Sequence, residues 1–205
     1  ERHAEVLASV QITSPHGQRA VSLQERQAEM LREKIKGLEH RIMDMVRNSN
    51  DNTAIATKVH QWTSALLRVK DPFDLPEAVV SGIRTLFDVP QAAVRVWTVA
   101  GPYIDADFTQ GASEDARAFA SSLTMPFCGP NLGFEPAGWL AQEAGEPAQS
   151  LALLPLREGA IDSATPAFGL LVLGSPDPQR FDATMGTEFL SRIAELASAA
   201  LVRLK

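Results

Sequence analysis

From residue 22 to residue 46 an apolar residue returns every three or four positions, and the other faces of that stretch are polar. This pattern restricts what the chain can fold into, because a helix with one apolar stripe needs a partner to cover it. Written as heptads, "VSLQERQAEMLREKIKGLEHRIMDMV" places Val21, Ala28, Ile35 and Ile42 at a. Gln24, Leu31, Leu38 and Met45 then fall at d. Ile at a with Leu at d favours a two-stranded coiled coil, so residues 21–52 are expected to form a dimerisation helix. Its seam would use Val21, Leu31, Ile35, Leu38, Ile42 and Met45. Whether the two helices run parallel or antiparallel is left open by the pattern. The competing reading is a helix packed against its own domain.

Opposite charges three apart, Glu29/Arg32, Glu33/Lys36 and Asp44/Arg47, suit a solvated outer face. The frame then passes a polar interruption, "NSNDN", and resumes with Ala56/Val59 and Thr63/Leu66. Either the helix is continuous across it, or Asp51 or Asn52 caps a fresh helix. Because the frame is kept, a continuous or gently bent helix is expected. Ahead of the rod, residues 1–20 read as an N-terminal arm with a turn at Pro15 and Gly17. Ser22 and Glu25 form a capping box at the rod's start.

From residue 53 to 205 the pattern is that of a compact domain. A first helix would turn Ile55, Val59, Trp62, Leu66 and Val69 inward. A second is expected to open at Asp74, capped with Glu77, and to end before Pro90. "AAVRVWTV" (92–99) alternates as a strand, and "PYIDADF" reads as its return strand in a hairpin. Ser113 caps a short helix, "MPFCGPNLG" reads as a loop, and "PAGWLAQEAG" as another short helix ending at Gly145. Two unbroken apolar runs, "QSLALLPL" and "AFGLLVLGS", predict adjacent central strands. Asp182 is expected to cap a last helix with Met185, Phe189, Ile193, Leu196, Ala200 and Leu204 inward. The expected class is α+β, an antiparallel sheet flanked by helices and preceded by a long coiled-coil helix.

A hydrophobic content of 45% with 21% charged residues is that of a globular protein. The net charge of −6, with 19 scattered basic residues, argues against direct nucleic-acid binding. The single cysteine, Cys128, excludes an internal disulfide. The charged opening residues are not those of a secretory signal, and no apolar run is long enough to span a membrane. A cytoplasmic protein is expected.

The order "SLALLPL", loop, "AFGLLVLGSPDPQRF" and an amphipathic terminal helix resembles the C-terminal half of GAF domains. "ERHAEVL", "PHGQRAVSLQERQ" and "LREKIKGLEHRI" joined to such a domain resemble the proteobacterial domain-of-unknown-function family 484 across nearly the whole chain. The resemblance implies a GAF-like domain over residues 53–205 and brings no mechanism with it. It also implies a pocket between the sheet and the mid-chain loops, near Arg95, Trp97, Tyr103, Phe127, Cys128, Asn131 and Trp139. Two tryptophans and an arginine suit a planar or anionic ligand. Equally, the tryptophans are core residues and Arg95 pairs with a surface acid.

Catalysis has no constellation. A thiolate nucleophile needs a histidine base, and His3, His16, His40 and His60 all precede the sheet. No His pair or Cys/His cluster has metal-ligand spacing, and "GPNLG" lacks the Lys-Ser of a phosphate loop. Asp105 and Asp107 would share a solvent-facing strand face. The expectation is a non-enzymatic, homodimeric regulatory protein, with a small-molecule ligand of unknown identity and a separate protein partner. The alternative is a scaffold whose domain binds protein and no small molecule.

Overall fold

The computed structural model describes residues 23–140, 146–182 and 187–205. They form two compact units that divide between Asn52 and Thr53. Helix α1, Leu23–Arg68, contributes to both and runs without interruption through the Asn-rich stretch. Neither Asp51 nor Asn52 starts a new helix, as the unbroken heptad frame led one to expect. Val21, Ser22 and the arm (1–20) lie outside the described residues.

In the first unit the expected seam is bare. Leu31, Ile35, Leu38, Ile42 and Met45 are each 53–70% exposed, and Met30, Met43 and Val46 are similarly open. Asp44 and Arg47 form an ion pair on the rod, at 3.9 Å and largely solvated, which contributes little.

The second unit is built on a four-stranded antiparallel sheet of order β1-β4-β3-β2. The strands are β1 (Gln91–Val96), β2 (Phe127–Pro130), β3 (Ser150–Leu156) and β4 (Gly169–Ser175). Every residue of β3 and β4 is buried. Their two apolar runs lack polar alternation because both sheet faces are covered. On one face Ala152, Leu154, Leu156, Leu171 and Leu173 meet Trp62 and Leu66 of α1. Helices α2 (Leu75–Leu86) and α4 (Glu188–Leu201) complete that layer with Val79, Ile83, Ile193, Ala197 and Leu201. On the other face Leu151, Leu153, Leu170 and Val172 meet Ala116 and Ala120 of α3 (Glu114–Ser122), with Trp139 and Leu140. The result is three layers.

Several expectations need correction. "PYIDADF" is no return strand: it forms two short 3-10 turns, Gly101–Tyr103 and Asp107–Thr109. Thr98 adopts φ 65° just after β1, which breaks the extended path. Pro102 has no N–H to give a ladder, and the Thr109 hydroxyl donates to the Ile104 and Ala106 carbonyls (both 2.7 Å). Asp105 and Asp107 therefore share no strand face. β1 pairs with β4 instead. "MPFCGPNLG" is not wholly a loop, since Phe127–Pro130 pairs with Leu153–Ser150 of β3 as the opposite edge strand.

Asp74 makes no side-chain cap. Asp71 does that work one turn earlier, accepting from the Phe73 N–H at 2.9 Å ahead of a 3-10 turn at Pro72–Asp74. "PAGWLAQEAG" supplies a 3-10 turn, Glu135–Leu140, with 141–145 outside the described residues. The last helix begins at Glu188 rather than at Asp182, and ends in a 3-10 turn, Val202–Leu204. Its inward stripe is Leu190, Ile193, Ala194, Ala197 and Leu201, with Phe189, Leu196 and Ala200 half-buried. Met185 lies outside the described residues.

Arg157 is a buried cation held by carbonyls. Its guanidinium donates to Ser121 (2.6 Å), Leu123 (2.9 Å), Ser163 (3.2 Å) and Thr165. It thereby joins the end of α3 to the β3–β4 connection.

The Trp62 indole is fully buried and stands edge-on to Phe87 at 6.0 Å. It lies so close to α2 that a Cβ on Gly82 would fall 2.4 Å from its Cδ1. Alanine is the better helix former by about 1 kcal/mol, yet the clash dominates. We expect Gly82→Ala to lower unfolding stability by about 1–3 kcal/mol in a urea titration. A neutral or stabilising result would show that the indole is free to move.

Candidate functional site

A cleft of about 400 Å³ runs along the free edge of β1, wholly within the second unit. Ala92–Arg95 form its floor, Pro76 and Val80 of α2 one wall, and Phe73, Phe108 and Trp139 the rim. Three carboxylates, Asp74, Glu77 and Asp107, share it with one cation, Arg95.

Each wall is held by its own local contact. Trp139 is fixed by its indole N–H, which donates to the Gly111 carbonyl at 3.0 Å. Glu135, at the start of the same 3-10 turn, accepts from the Ser113 N–H (2.9 Å) and the Ser113 hydroxyl. Those bonds hold its carboxyl below the usual range. Ser113 in turn accepts from the Ala116 N–H and caps α3. The Trp139 turn and α3 are thus one assembly.

Arg95 stacks over Trp139, its guanidinium carbon 5.9 Å from the ring centroid. Nη1 donates to the Val94 carbonyl at 3.1 Å, while Nε is buried without a partner. Burial lowers its pKa, and the Asp107 carboxylate partly opposes that shift. Among the described residues no carboxylate lies within ion-pair distance of it.

The register exposes the strand's backbone as well. Trp97 N–H donates to the Phe168 carbonyl at 2.7 Å, and 97 opposite 168 continues the ladder from Val96↔Gly169. That pair is therefore hydrogen-bonded, and so are 95/170 and 93/172. Ala92 and Val94 accordingly turn their N–H and C=O groups away from β4, toward the cleft.

Of the seven residues expected to surround a pocket, Arg95 and Trp139 meet here. Trp97 is buried in the α3 layer, with its indole N–H donating to Ala167 (2.7 Å) and Arg117 stacked on its ring. Phe127 packs edge-on to Phe134 at 5.5 Å on that same side. Cys128 and Tyr103 belong to the opposite layer. Asn131 lies in a separate depression with Gln91 and Phe134, donating to the Ala148 carbonyl (2.9 Å) and accepting from the Gly133 N–H. The cleft residues that sequence reasoning missed, Phe73, Asp74, Glu77, Asp107 and Phe108, carry no joint motif, because the first three lie around the start of α2 and the last two on a distant 3-10 turn.

Cys128 is buried, whereas His60 is exposed on α1. Burial, then the Asp182 carboxylate, pushes the Cys128 thiol up from 9.0 to about 11. Among the described residues no group of three or more His, Cys, Asp or Glu could hold a metal. No helix among them is long and apolar enough to cross a membrane.

A folded thiol that keeps its proton to higher pH than an unfolded one stabilises the fold most below pH 9, and that contribution falls between 9.0 and about 11. Iodoacetamide at pH 8 should label Cys128 far more slowly in the native chain than in urea. Equal rates would mean that the thiol is open.

The GAF domain of the potassium sensor histidine kinase KdpD from Escherichia coli is similar at 18% identity and a TM-score of 0.45, covering 73% of this chain and 94% of that one. A GAF domain from an Acinetobacter phosphoenolpyruvate-protein phosphotransferase is similar at 10% identity and 0.47, covering 72% and 92%. The A. aeolicus Nlh2 GAF domain in an inactive state is similar at 11% and 0.47, covering 75% and 99%. No curated protein matches the chain. The family model described as "Protein of unknown function, DUF484" matches residues 1–205, and the chain belongs to that family.

Proposed function

We propose that this protein is a homodimeric, non-enzymatic, cytoplasmic regulatory module that binds a small molecule and passes the event to a separate protein partner. The observation that carries this reading is helix α1. It is one unbroken element whose early seam residues are open to solvent and whose last turns, at Trp62 and Leu66, are buried in the domain core. A second copy covering Leu31, Ile35, Leu38, Ile42 and Met45 would remove apolar surface from water in the manner of a coiled coil. The ligand acts by preferring one packing of the domain's helices, and shifts the balance by no more than its difference in affinity between the two states. The β1 cleft, with its stacked Arg95–Trp139 pair, is the binding site in this reading.

Sedimentation of the full chain is expected to give twice the chain mass. Ile35→Asp with Leu38→Asp should give single chains whose unfolding transition is little changed, since both residues are more than half exposed. A monomeric parent chain would remove the dimer from the proposal. Separately, a thermal-shift screen of amino acids, nucleotides and tetrapyrroles should raise the melting temperature for at least one compound. A flat response to all three classes would leave the cleft without a ligand.

A further inference from the structure

We infer that the β1 cleft takes an amino-carboxylate zwitterion, a free α-amino acid or a peptide terminus that carries both charges, rather than a phosphate-bearing ligand. This rests on the cleft being a ligand site and names the class that fits it.

Among the described residues Arg95 is the one cation that lines the cleft, and no carboxylate there lies within ion-pair distance of it. Its Nε is buried and unpartnered, and Trp139 covers its flat face. A ligand carboxylate would accept a charge-assisted bond from the guanidinium's Nη groups, since Nε itself is closed to solvent. Three carboxylates line the same space. None of Asp74, Glu77 and Asp107 is held by a Lys or Arg among the described residues. One positive and three negative groups repel a phosphate ester or a polyanion, because such a ligand satisfies Arg95 while facing uncompensated charge. An ammonium group reverses that penalty. The strand edge is also two-sided in character, since Ala92 offers an N–H and a C=O toward the cleft and Val94 its N–H, the Val94 carbonyl already accepting from Arg95. A ligand with a carboxylate at one end and an ammonium beside it can use both. About 400 Å³ is at the small end of the range for ligand pockets, and the apolar Val80, Phe73 and Phe108 leave room for a side chain.

The test uses the full chain in calorimetry and thermal shift against leucine, phenylalanine and lysine, glycyl-leucine, N-acetyl-leucine, leucinamide and AMP. The inference expects binding of at least one free amino acid or of the dipeptide. N-acetyl-leucine, which lacks the ammonium, and leucinamide, which lacks the carboxylate, should each bind about tenfold or more weakly than leucine. Binding by the dipeptide alone supports the same chemistry with a peptide as source. Arg95→Gln should remove the preference for leucine over leucinamide, and Asp107→Asn should shrink that for leucine over N-acetyl-leucine. The ligand comparison on the parent chain stands even if either variant misfolds. AMP or N-acetyl-leucine binding as tightly as the amino acids would overturn the inference while leaving a ligand cleft. Silence from every compound here, together with the nucleotide and tetrapyrrole screen, would overturn both.

Discussion

The pairing of β3 with β4, both buried along their whole length on both faces, is the constraint on which the second unit depends. Seven consecutive buried residues in each strand, with serine at Ser150 and Ser175 as the polar side chains, oblige the chain to build a layer on each face. Trp62, α2 and α4 provide one layer, and α3 with the Trp139 turn provides the other. With the centre of the sheet closed, openings are left at its margins. The β1 margin stays open because the segment expected to pair with it coils into 3-10 turns. The cleft is thus a by-product of where the sheet stops growing.

Much of this was legible in the sequence, for an energetic reason. Burial of both faces writes itself as an unbroken apolar run, so "SLALLPL" and "GLLVLGS" announced adjacent central strands. Helix continuity past "NSNDN" was legible because the a/d frame is kept, and a helix interior tolerates a few poor formers when its neighbours hold it. Ser113 declared itself as a cap, and its hydroxyl accepts from Ala116 N–H.

The margins were harder to read. β2 is four residues with prolines at 126 and 130, and on an edge strand a missing N–H costs little; Pro and Gly there look the same as in a loop. The return strand misled because a brief alternation in "PYIDADF" outweighed the proline and the left-handed Thr98 that no propensity foretells. The capping box at Asp74 failed because Asp74 is itself the last residue of a 3-10 turn that Asp71 caps, with an αR backbone rather than the extended one of a capping residue. Arg95 and Trp139 were singled out by residue type, and they do meet. Their neighbours Asp74 and Glu77 sit at the start of α2 and Asp107 on a distant 3-10 turn, and only the folded backbone gathers them.

Arg157 has a consequence for how the domain comes apart. Its single guanidinium is shared among carbonyls at the end of α3 and across the β3–β4 connection. Releasing either segment leaves a buried cation without part of its acceptors, at a cost greater than the bonds themselves contribute. Amide protons in both stretches should therefore be shielded and released as one cooperative block rather than fraying separately, even though the carbonyls at α3's end are 34 and 36 positions from the arginine in sequence.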